Sequence, residues 1–249
     1  MKSLAMRYFF RVEYDGTAYG GWQTQTNAPS VQETIVKAFT VVTRQRCAVT
    51  GAGRTDAGVH ASSQGAHVDL DSPIDARACE LSVNAVLPAD IAVYHLQEAP
   101  PGFHARYSPV LRRYIYHFAL RKKPLHYKRV WMMFYSVDWE LVRAALPALV
   151  GTYDCSAFCA SGSSAKSMIC AISRAELSPT PYGYCFTIEA DRFLYKMVRT
   201  IVGTLIGIGR GKIVMPLTDI IAAKIRLNAG ETAPACGLVL DYVAYDGID

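Results

Sequence analysis

The nine residues Gly53-Arg54-Thr55-Asp56-Ala57-Gly58-Val59-His60-Ala61 are the most informative stretch of this 249-residue chain. Short apolar runs flank them, Ala48-Val49 before and Gly65-Ala66-His67-Val68 after, and this pattern predicts a strand, a turn and a second strand. The turn carries the carboxylate of Asp56 two residues after the guanidinium of Arg54, among glycines that permit tight backbone geometry. Such a turn suits an ionised nucleophile or base. An ordinary turn, in which Asp56 bonds only to its own backbone, fits the same residues.

The composition indicates a globular protein without membrane spans. Hydrophobic residues make up 51% of the chain and charged residues 19%, which is typical of a folded soluble protein. No apolar run approaches the roughly 18 residues that suggest a transmembrane helix. Arg11 and Glu13 interrupt the short apolar patch near the start, so it is too short for a secretory signal. These features predict a cytoplasmic protein of one large domain or two small ones.

Cysteine and histidine spacing predicts neither a disulfide framework nor a metal site. The seven cysteines are scattered without a C-x-x-C pair, and the six histidines show no H-E-x-x-H spacing. Two glycine segments begin like nucleotide-binding loops, but Gly51-x-Gly53 has Asp56 at the third glycine position and Gly209-x-Gly211-Lys212 lacks the following Ser or Thr. We therefore expect free, mostly buried thiols and no metal or cofactor.

Basic residues are concentrated in two acid-free stretches, although the net charge is only +5. Residues 99–137 contain no Asp or Glu, and neither do residues 192–218. Clustered cations interleaved with aromatic residues are typical of a protein that binds unpaired or splayed RNA. A solvated basic face without a partner is the alternative. The cations are Arg106, Arg112, Arg113, Arg121, Lys122, Lys123, Lys128 and Arg129 in the first stretch, and Arg192, Lys196, Arg199, Arg210 and Lys212 in the second.

Strand and helix patterns alternate along the chain and predict an α+β fold of two halves. The segment Ala99-Pro100-Pro101-Gly102 breaks the pattern, which places the halves at 1–100 and 101–249. A cleft between two such halves is a common binding site. Besides the two strands around Asp56, the predicted strands are 8–14, 91–97, 113–120, 172–177, 184–190 and 237–245. The predicted helices are one capped by Ser30 and Glu33 and ending near 43, then 74–86, 138–149, 193–208 and 217–227.

The string around Asp56 also resembles the active-site loop of the bacterial TruA family, the pseudouridine synthases that modify the anticodon arm of transfer RNA. Further blocks match that family in the same order along nearly the whole chain. Several ordered matches are stronger evidence of a resemblance than one short string. These blocks are Glu13-Tyr14-Asp15-Gly16 with Gly21-Trp22-Gln23, Val31-Gln32-Glu33, Asn84 with Leu87-Pro88, Phe103-His104-Ala105-Arg106, Arg113-Tyr114, Met197-Val198-Arg199 with Ile201-Val202-Gly203, and Gly237-Leu238.

The resemblance implies a pseudouridine synthase fold, in which two α/β halves with largely antiparallel sheets flank a central cleft. The first half, 1–100, would carry the Asp56 loop, and the second, 101–249, the basic RNA-binding segments. The implied activity is isomerisation of uridine to pseudouridine at positions 38, 39 and 40 of transfer RNA, without a cofactor. The resemblance also implies a homodimer whose two subunits both grip the RNA.

The resemblance further implies roles for individual residues. Asp56 would be the nucleophile, and Arg199 the cation that keeps a buried carboxylate ionised. The ring of Tyr114 would lie against the target uracil, while Arg54 would fill the space left by the extruded nucleotide. Arg192 and Lys196 are predicted to share a helical stripe with Arg199. The remaining expected RNA contacts are His104, Arg106, Arg112, Arg113 and Lys196.

Other interpretations of these residues remain open at this stage. Tyr114 also fits an ordinary aromatic on a half-buried strand, and the cations around Arg199 also fit an exposed basic face. A catalytically silent RNA-binding protein or RNA chaperone on the same fold would keep the basic segments and tolerate loss of Asp56. The sequence departs from the family pattern at Cys155 and at Ser167-Met168-Ile169, where an aromatic residue and a more basic segment are usual.

Overall fold

A computed structural model describes residues 6–248 of the chain; the first five residues of the N-terminal patch considered for a secretory signal lie outside them. The chain forms two compact units. Unit 1 contains the residues up to Val110 together with those from Val239 onward, and unit 2 is Leu111–Leu238. Both units combine strands and helices, so the predicted α+β class is confirmed. Within residues 6–248, no helix has the length and apolar character needed to cross a membrane.

The strands are β1 (Met6–Tyr14), β2 (Ala48–Gly51), β3 (His60–Leu70), β4 (Ile91–Glu98), β5 (Pro109–Ala119), β6 (Trp131–Met132), β7 (Gly151–Asp154), β8 (Ile169–Thr180), β9 (Gly183–Ala190) and β10 (Leu238–Tyr245). The α-helices are α1 (Val31–Thr43), α2 (Ala76–Val86), α3 (Trp139–Ala145), α4 (Met197–Gly209) and α5 (Leu217–Ala223). Short 3₁₀ turns connect several of these elements.

The sheet of unit 1 has the strand order β4-β1-β3-β10, and β2 also pairs with β3. Its pairs are antiparallel except for β10, which runs parallel to β3. Successive side chains of β1 point to opposite faces, as the pleat requires. Phe10 packs against Phe39 of α1 with ring centroids 5.2 Å apart, whereas Phe9 contacts Phe103 and Tyr245, each at 5.4 Å. Unit 1 therefore has apolar packing on both faces of its sheet.

The two helices of unit 1 begin at side-chain caps. The Ser30 hydroxyl accepts a hydrogen bond from the Glu33 N–H at 3.2 Å, as the capping pattern predicts, and the Asp75 carboxylate accepts one from the Ala78 N–H at 3.0 Å. The Glu33 carboxylate pairs with Lys37 one turn later, at 2.6 Å. The prediction of a helix from the Ser30 cap to residue 43 is confirmed.

The sheet of unit 2 has the order β5-β9-β8-β7, antiparallel throughout, with the short β6 running parallel to β5. Tyr116 and Phe118 of β5 are fully buried and belong to the core of unit 2. Helix α4 buries Met197, Ile201 and Leu205, spaced as one apolar helical face.

Several predicted helix boundaries were wrong because single residues leave the helical conformation. The helix predicted from residue 193 begins at Met197, since Lys196 adopts a left-handed backbone with φ 57°. Arg192 and Lys196 therefore do not share a helical stripe with Arg199. The helix predicted for 217–227 ends at Ala223, before the left-handed Lys224. The helix predicted for 138–149 narrows after Ala145 into a 3₁₀ turn that contains Pro147.

Gly203 allows α4 to pack directly against the backbone of residues 230–233. A Cβ atom at this position would overlap the carbonyl oxygen of Glu231. On either side of the close approach, the Gly230 N–H donates to the Thr204 hydroxyl at 2.9 Å, and the Ala233 N–H donates to the Arg199 carbonyl at 3.0 Å. The family-like Ile201-Val202-Gly203 block is thus a packing requirement of unit 2.

We predict that Gly203→Ala destabilises the protein by about 3 kcal/mol, because the added methyl group must displace backbone atoms. Gly207→Ala is the matched control on the same helix, since its Cβ would meet the end of the Ile213 side chain, which can rotate. Both changes gain helix propensity of about 1 kcal/mol. Thermal and urea denaturation of the two variants measure the difference, and equal stabilities would contradict the close-packing argument.

Candidate active site

Asp56 lies in the loop 52–59, called here the Asp56 loop, which connects β2 to β3 as the sequence predicted. Asp56 is half-buried and forms an isolated antiparallel bridge with Gly21. The Val59 N–H donates to the Asp56 carbonyl at 3.1 Å and closes a tight turn. Gly58 has a φ of 76° in this turn, a conformation that favours glycine. The carboxylate is therefore presented from a closed turn rather than from a mobile strand end.

The segment 14–23 holds the Asp56 loop from one side. The hydroxyls of Tyr14 and Thr55, both buried, lie 2.8 Å apart, and the Trp22 N–H donates to the Thr55 carbonyl at 3.1 Å. Gly21, with φ 109°, lies so close that a Cβ atom would overlap the same carbonyl. Because both the side chain and the backbone of Thr55 are engaged, the backbone position of the next residue, Asp56, is fixed.

The far end of the loop is attached to the same segment. The Gly16 N–H donates to Nδ1 of His60 at 3.1 Å, and His60 begins β3. Trp22 fills the space beside β2, where a Cβ at Gly51 would lie 2.6 Å from its Cε2 atom. Two sequence blocks that matched the TruA pattern, 13–16 and 21–23, thus form the support of the Asp56 loop.

Arg54 is exposed at the start of the loop, and its Nε donates to the Gln23 side chain at 3.0 Å. The long guanidinium side chain is therefore oriented by the same supporting segment that holds Asp56. Residues 6–248 contain no group of three or more His, Cys, Asp or Glu side chains placed to hold a metal ion.

His104 and Arg106 lie in unit 1, beside the second half of β3. The Ala105 N–H donates to Nδ1 of His67 at 3.1 Å, and the imidazole rings of His67 and His104 are 4.9 Å apart. Burial, together with the positive charge of Arg7, lowers the pKa of His67 from 6.5 to about 4. His67 is consequently neutral at physiological pH, so Nδ1 can accept the backbone hydrogen bond.

The other predicted site residues belong to unit 2. The Tyr114 ring on β5 is largely buried and contacts Phe193 edge-on, with centroids 5.2 Å apart. Its neighbour Arg113 pairs with Glu189 of β9 at 2.6 Å. The Arg112 guanidinium donates to the Asp191 carbonyl.

Arg199 occupies the first turn of α4, and its Nε donates to the Ala233 carbonyl at 2.8 Å. Because Ala233 also donates its N–H to the Arg199 carbonyl, the two residues are joined twice. Lys196, just before α4, holds its ammonium 5.0 Å from the ring centroid of Tyr195. The direction of the Arg199 guanidinium is thus set by the segment that Gly203 allows to approach.

The two departures from the family pattern lie in different environments. Cys155 is fully buried, so its replacement of an aromatic residue affects the packing of unit 2. Ser167 and Ile169 are exposed just before β8 and at its start. All seven cysteines are free thiols.

Comparison with known proteins identifies the family. A family model described as tRNA pseudouridine synthase matches residues 145–246. A protein named tRNA pseudouridine synthase A from Porphyromonas gingivalis is 39% identical over 244 residues, covering 96% of this chain and 97% of that protein. The chain belongs to the tRNA pseudouridine synthase A family. Its relative of the same name from Thermoanaerobacter pseudethanolicus is 43% identical over 237 residues, covering 94% of this chain and 97% of that protein.

Membership of the tRNA pseudouridine synthase A family confirms the resemblance drawn from the string around Asp56, and with it the fold class. The chain is accordingly an isomerase. The sequence named Asp56 as a candidate but gave no role to Tyr14, Gly21 or Trp22, which hold its loop. Their only sign in the sequence was their place in the matching blocks.

We predict that acidification removes stability through His67. Its folded pKa of about 4 lies below the ordinary 6.5, so between these values the unfolded chain takes up a proton that the folded protein does not. The free energy of unfolding therefore falls as pH drops through this window, by up to about 3 kcal/mol, and the contribution is complete above 6.5.

His67→Asn provides the matched comparison, because an amide oxygen can accept the Ala105 hydrogen bond but does not titrate. Urea denaturation at about pH 7 and about pH 4.5 measures both proteins. We expect wild type to lose more stability than the variant. Equal losses would show that His67 does not titrate as stated.

Proposed function

We propose that this chain isomerises uridine to pseudouridine in transfer RNA, at positions 38, 39 and 40 of the anticodon arm. The reaction breaks the bond between N1 and C1′, turns the base and joins C5 to C1′, while the C5 proton leaves and N1 gains one. It needs an anionic group, a pocket for the detached base and an acceptor for the C5 proton. Because no group is imported and no electrons are exchanged overall, side chains alone can supply these requirements.

The observation that carries the proposal is the fixed backbone of Asp56 in a chain of this family. A nucleophile acts efficiently when its position is set before the substrate arrives. The bonds of Thr55 to Tyr14 and Trp22 provide that setting immediately beside Asp56. We therefore assign Asp56 as the nucleophile, in place of an ordinary turn residue that bonds only to its own backbone.

We further propose that Tyr114 and Arg199 bind the target uridine. Arg199 would supply positive charge for the reaction, and its orientation by Ala233 supports a defined role. The Tyr114 ring, held edge-on by Phe193, would lie against the uracil. Arg54 would enter the space that the extruded nucleotide leaves in the RNA.

The proposed partner is the anticodon arm of transfer RNA, bound by a cytoplasmic homodimer. Positive charge in the acid-free stretch 99–137 supports a polyanion partner. Arg113 already pairs with Glu189 in the free protein, so its cation is partly compensated before RNA binds. The proposed RNA contacts outside the uridine pocket are His104, Arg106, Arg112, Arg113 and Lys196.

We predict that Asp56→Asn abolishes turnover, lowering it by at least about 10⁴-fold, as loss of a covalent nucleophile does. The measurement is tritium release from C5-labelled uridine in unmodified transfer RNA, with RNA binding assayed in parallel. Asn has the same size as Asp, so folding and RNA binding should persist.

Asp71→Asn is the matched control, because Asp71 is an exposed carboxylate of the same unit just after β3. We expect this variant to release tritium as wild type does. Release by Asp56→Asn at the wild-type rate would remove the assigned role. Binding without release by the wild-type protein would instead identify a silent RNA-binding protein.

We also predict that the three cations just after β5 contribute to the salt dependence of RNA binding; Arg121 and Lys122 are exposed and Lys123 is half-buried. Replacing Arg121, Lys122 and Lys123 by Gln should reduce the slope of log affinity against log salt by about 2, since each phosphate contact contributes about 0.7 to 0.9. Lys37→Gln is the control, because this exposed lysine of α1 is paired with Glu33. An unchanged slope in the triple variant would show that these cations do not contact phosphates.

A further inference from the structure

Tyr107 presents an unusually exposed aromatic ring in unit 1, with 77% of its surface accessible. The ring lies against the His104 imidazole, with centroids 4.4 Å apart and an interplanar angle of 31°. The Arg106 guanidinium carbon is 5.9 Å from the centroid of the same ring. We propose that Tyr107, backed by His104 and flanked by Arg106, is a platform on which an unpaired nucleobase of the transfer RNA stacks, several nucleotides from the modified uridine.

This arrangement suits a nucleobase because each component matches a part of a nucleotide. Exposed aromatic rings stack on the bases of single-stranded RNA without regard to sequence, and an adjacent Arg contributes a cation for the backbone and for the ring itself. The His104 imidazole supports Tyr107, so the base would extend a stack that already exists. The inference rests on the proposed function, because that function identifies the RNA as transfer RNA.

The backbone that carries the platform is held in place by unit 1. The Ala105 carbonyl accepts from the Tyr245 hydroxyl at 2.8 Å while its N–H donates to His67, and the Phe103 carbonyl accepts from Arg7 at 2.7 Å. The Tyr107 N–H donates to the His104 carbonyl at 3.0 Å. A ring on so fixed a turn loses little conformational entropy when it binds a base.

The electrostatic surroundings of the platform favour an anionic partner. Asp69, the carboxylate paired with Arg7, is neutralised by two hydrogen bonds of 2.7 and 2.8 Å from that guanidinium. The Arg7 guanidinium holds the pKa of Asp69 below its usual value, so the pair stays intact at physiological pH. Residues 99–137 contain no Asp or Glu, so Arg106 lies in a segment with an excess of positive charge.

The length of β3 separates the platform from the Asp56 loop. His60 begins β3 directly after the loop, and His67, which contacts the platform, follows seven residues later. At about 3.3 Å per residue this spacing is about 23 Å. Stacked nucleotides are about 3.4 Å apart along a strand, so a base at Tyr107 lies several nucleotides from the uridine at Asp56.

The test measures transfer RNA binding in an Asp56→Asn background, so that affinity is read without turnover. We expect Tyr107→Ala to weaken binding about tenfold, the loss of roughly one base stack. Tyr107→Leu should lose as much because it lacks a ring face, whereas Tyr107→Phe and Tyr107→Trp should retain the affinity. Leu81→Ala, an exposed residue of α2, is the control and should bind as the parent does.

Each of the following outcomes would contradict the proposal that Tyr107 stacks on a base. Wild-type affinity of Tyr107→Ala would do so directly, and equal binding by the Leu and Phe variants would indicate apolar packing instead of stacking. Unchanged affinity together with a shift from dimer to monomer, measured by light scattering, would assign the ring to contact with a second copy of the chain. A photo-crosslinker at position 107 that labels the modified uridine would refute the stated separation.

These outcomes are distinct from failure of the proposed function. That function fails if the wild-type protein releases no tritium from transfer RNA. The binding comparison among Tyr107 variants does not depend on tritium release.

Discussion

The support of the Asp56 loop by segment 14–23 is the constraint on which the site of unit 1 depends. A carboxylate on a loop between two strands has many accessible positions unless neighbouring groups exclude them. Here the buried hydroxyl pair of Tyr14 and Thr55 and the backbone bond from Trp22 exclude them from one side. The close approach requires glycine at position 21, because a side chain there would overlap the Thr55 carbonyl. The position of the proposed nucleophile therefore depends on contacts made by neighbouring residues.

The same principle operates in unit 2. Arg199 is directed by a double connection to Ala233, and that connection forms only because Gly203 lets a neighbouring backbone lie against α4. In both units a glycine makes room for backbone contact near a proposed functional side chain: Gly203 lies one helical turn after Arg199, and Gly21 forms a bridge with Asp56. Each of these glycines has only a packing role by itself, but the proposed activity depends on the packing that it allows.

Local patterns in the sequence predicted most elements of the fold. The Ser30 cap and the strand, turn and strand around Asp56 depend on residues a few positions apart, so a short window contains their cause. The start of α4 was missed because Lys196 adopts a left-handed backbone that no pattern of side chains announces. The short β6 and β7 were not predicted either, since strands of two and four residues offer too little alternation.

The same distinction between local patterns and long-range contacts applies to the candidate site. Asp56, Arg54, Tyr114 and Arg199 could be named from motifs, because the family resemblance places them in recognisable strings. The contacts that hold them could not, because Tyr14 meets Thr55 across 41 residues and Arg199 meets Ala233 across 34. Contacts over such distances depend on how the strands pair and on where α4 packs. Local sequence patterns do not predict these long-range contacts.

The pairing of β10 with β3 gives the chain a particular order of assembly. Val239 and Leu240 lie beside His60 and Ala61, so β10 extends the sheet that carries the Asp56 loop. During protein synthesis, the intervening 128 residues of unit 2 leave the ribosome before that strand does. A nascent chain therefore presents the start of β3, at residues 60 and 61, without its β10 partner until residues 239 and 240 have been synthesised.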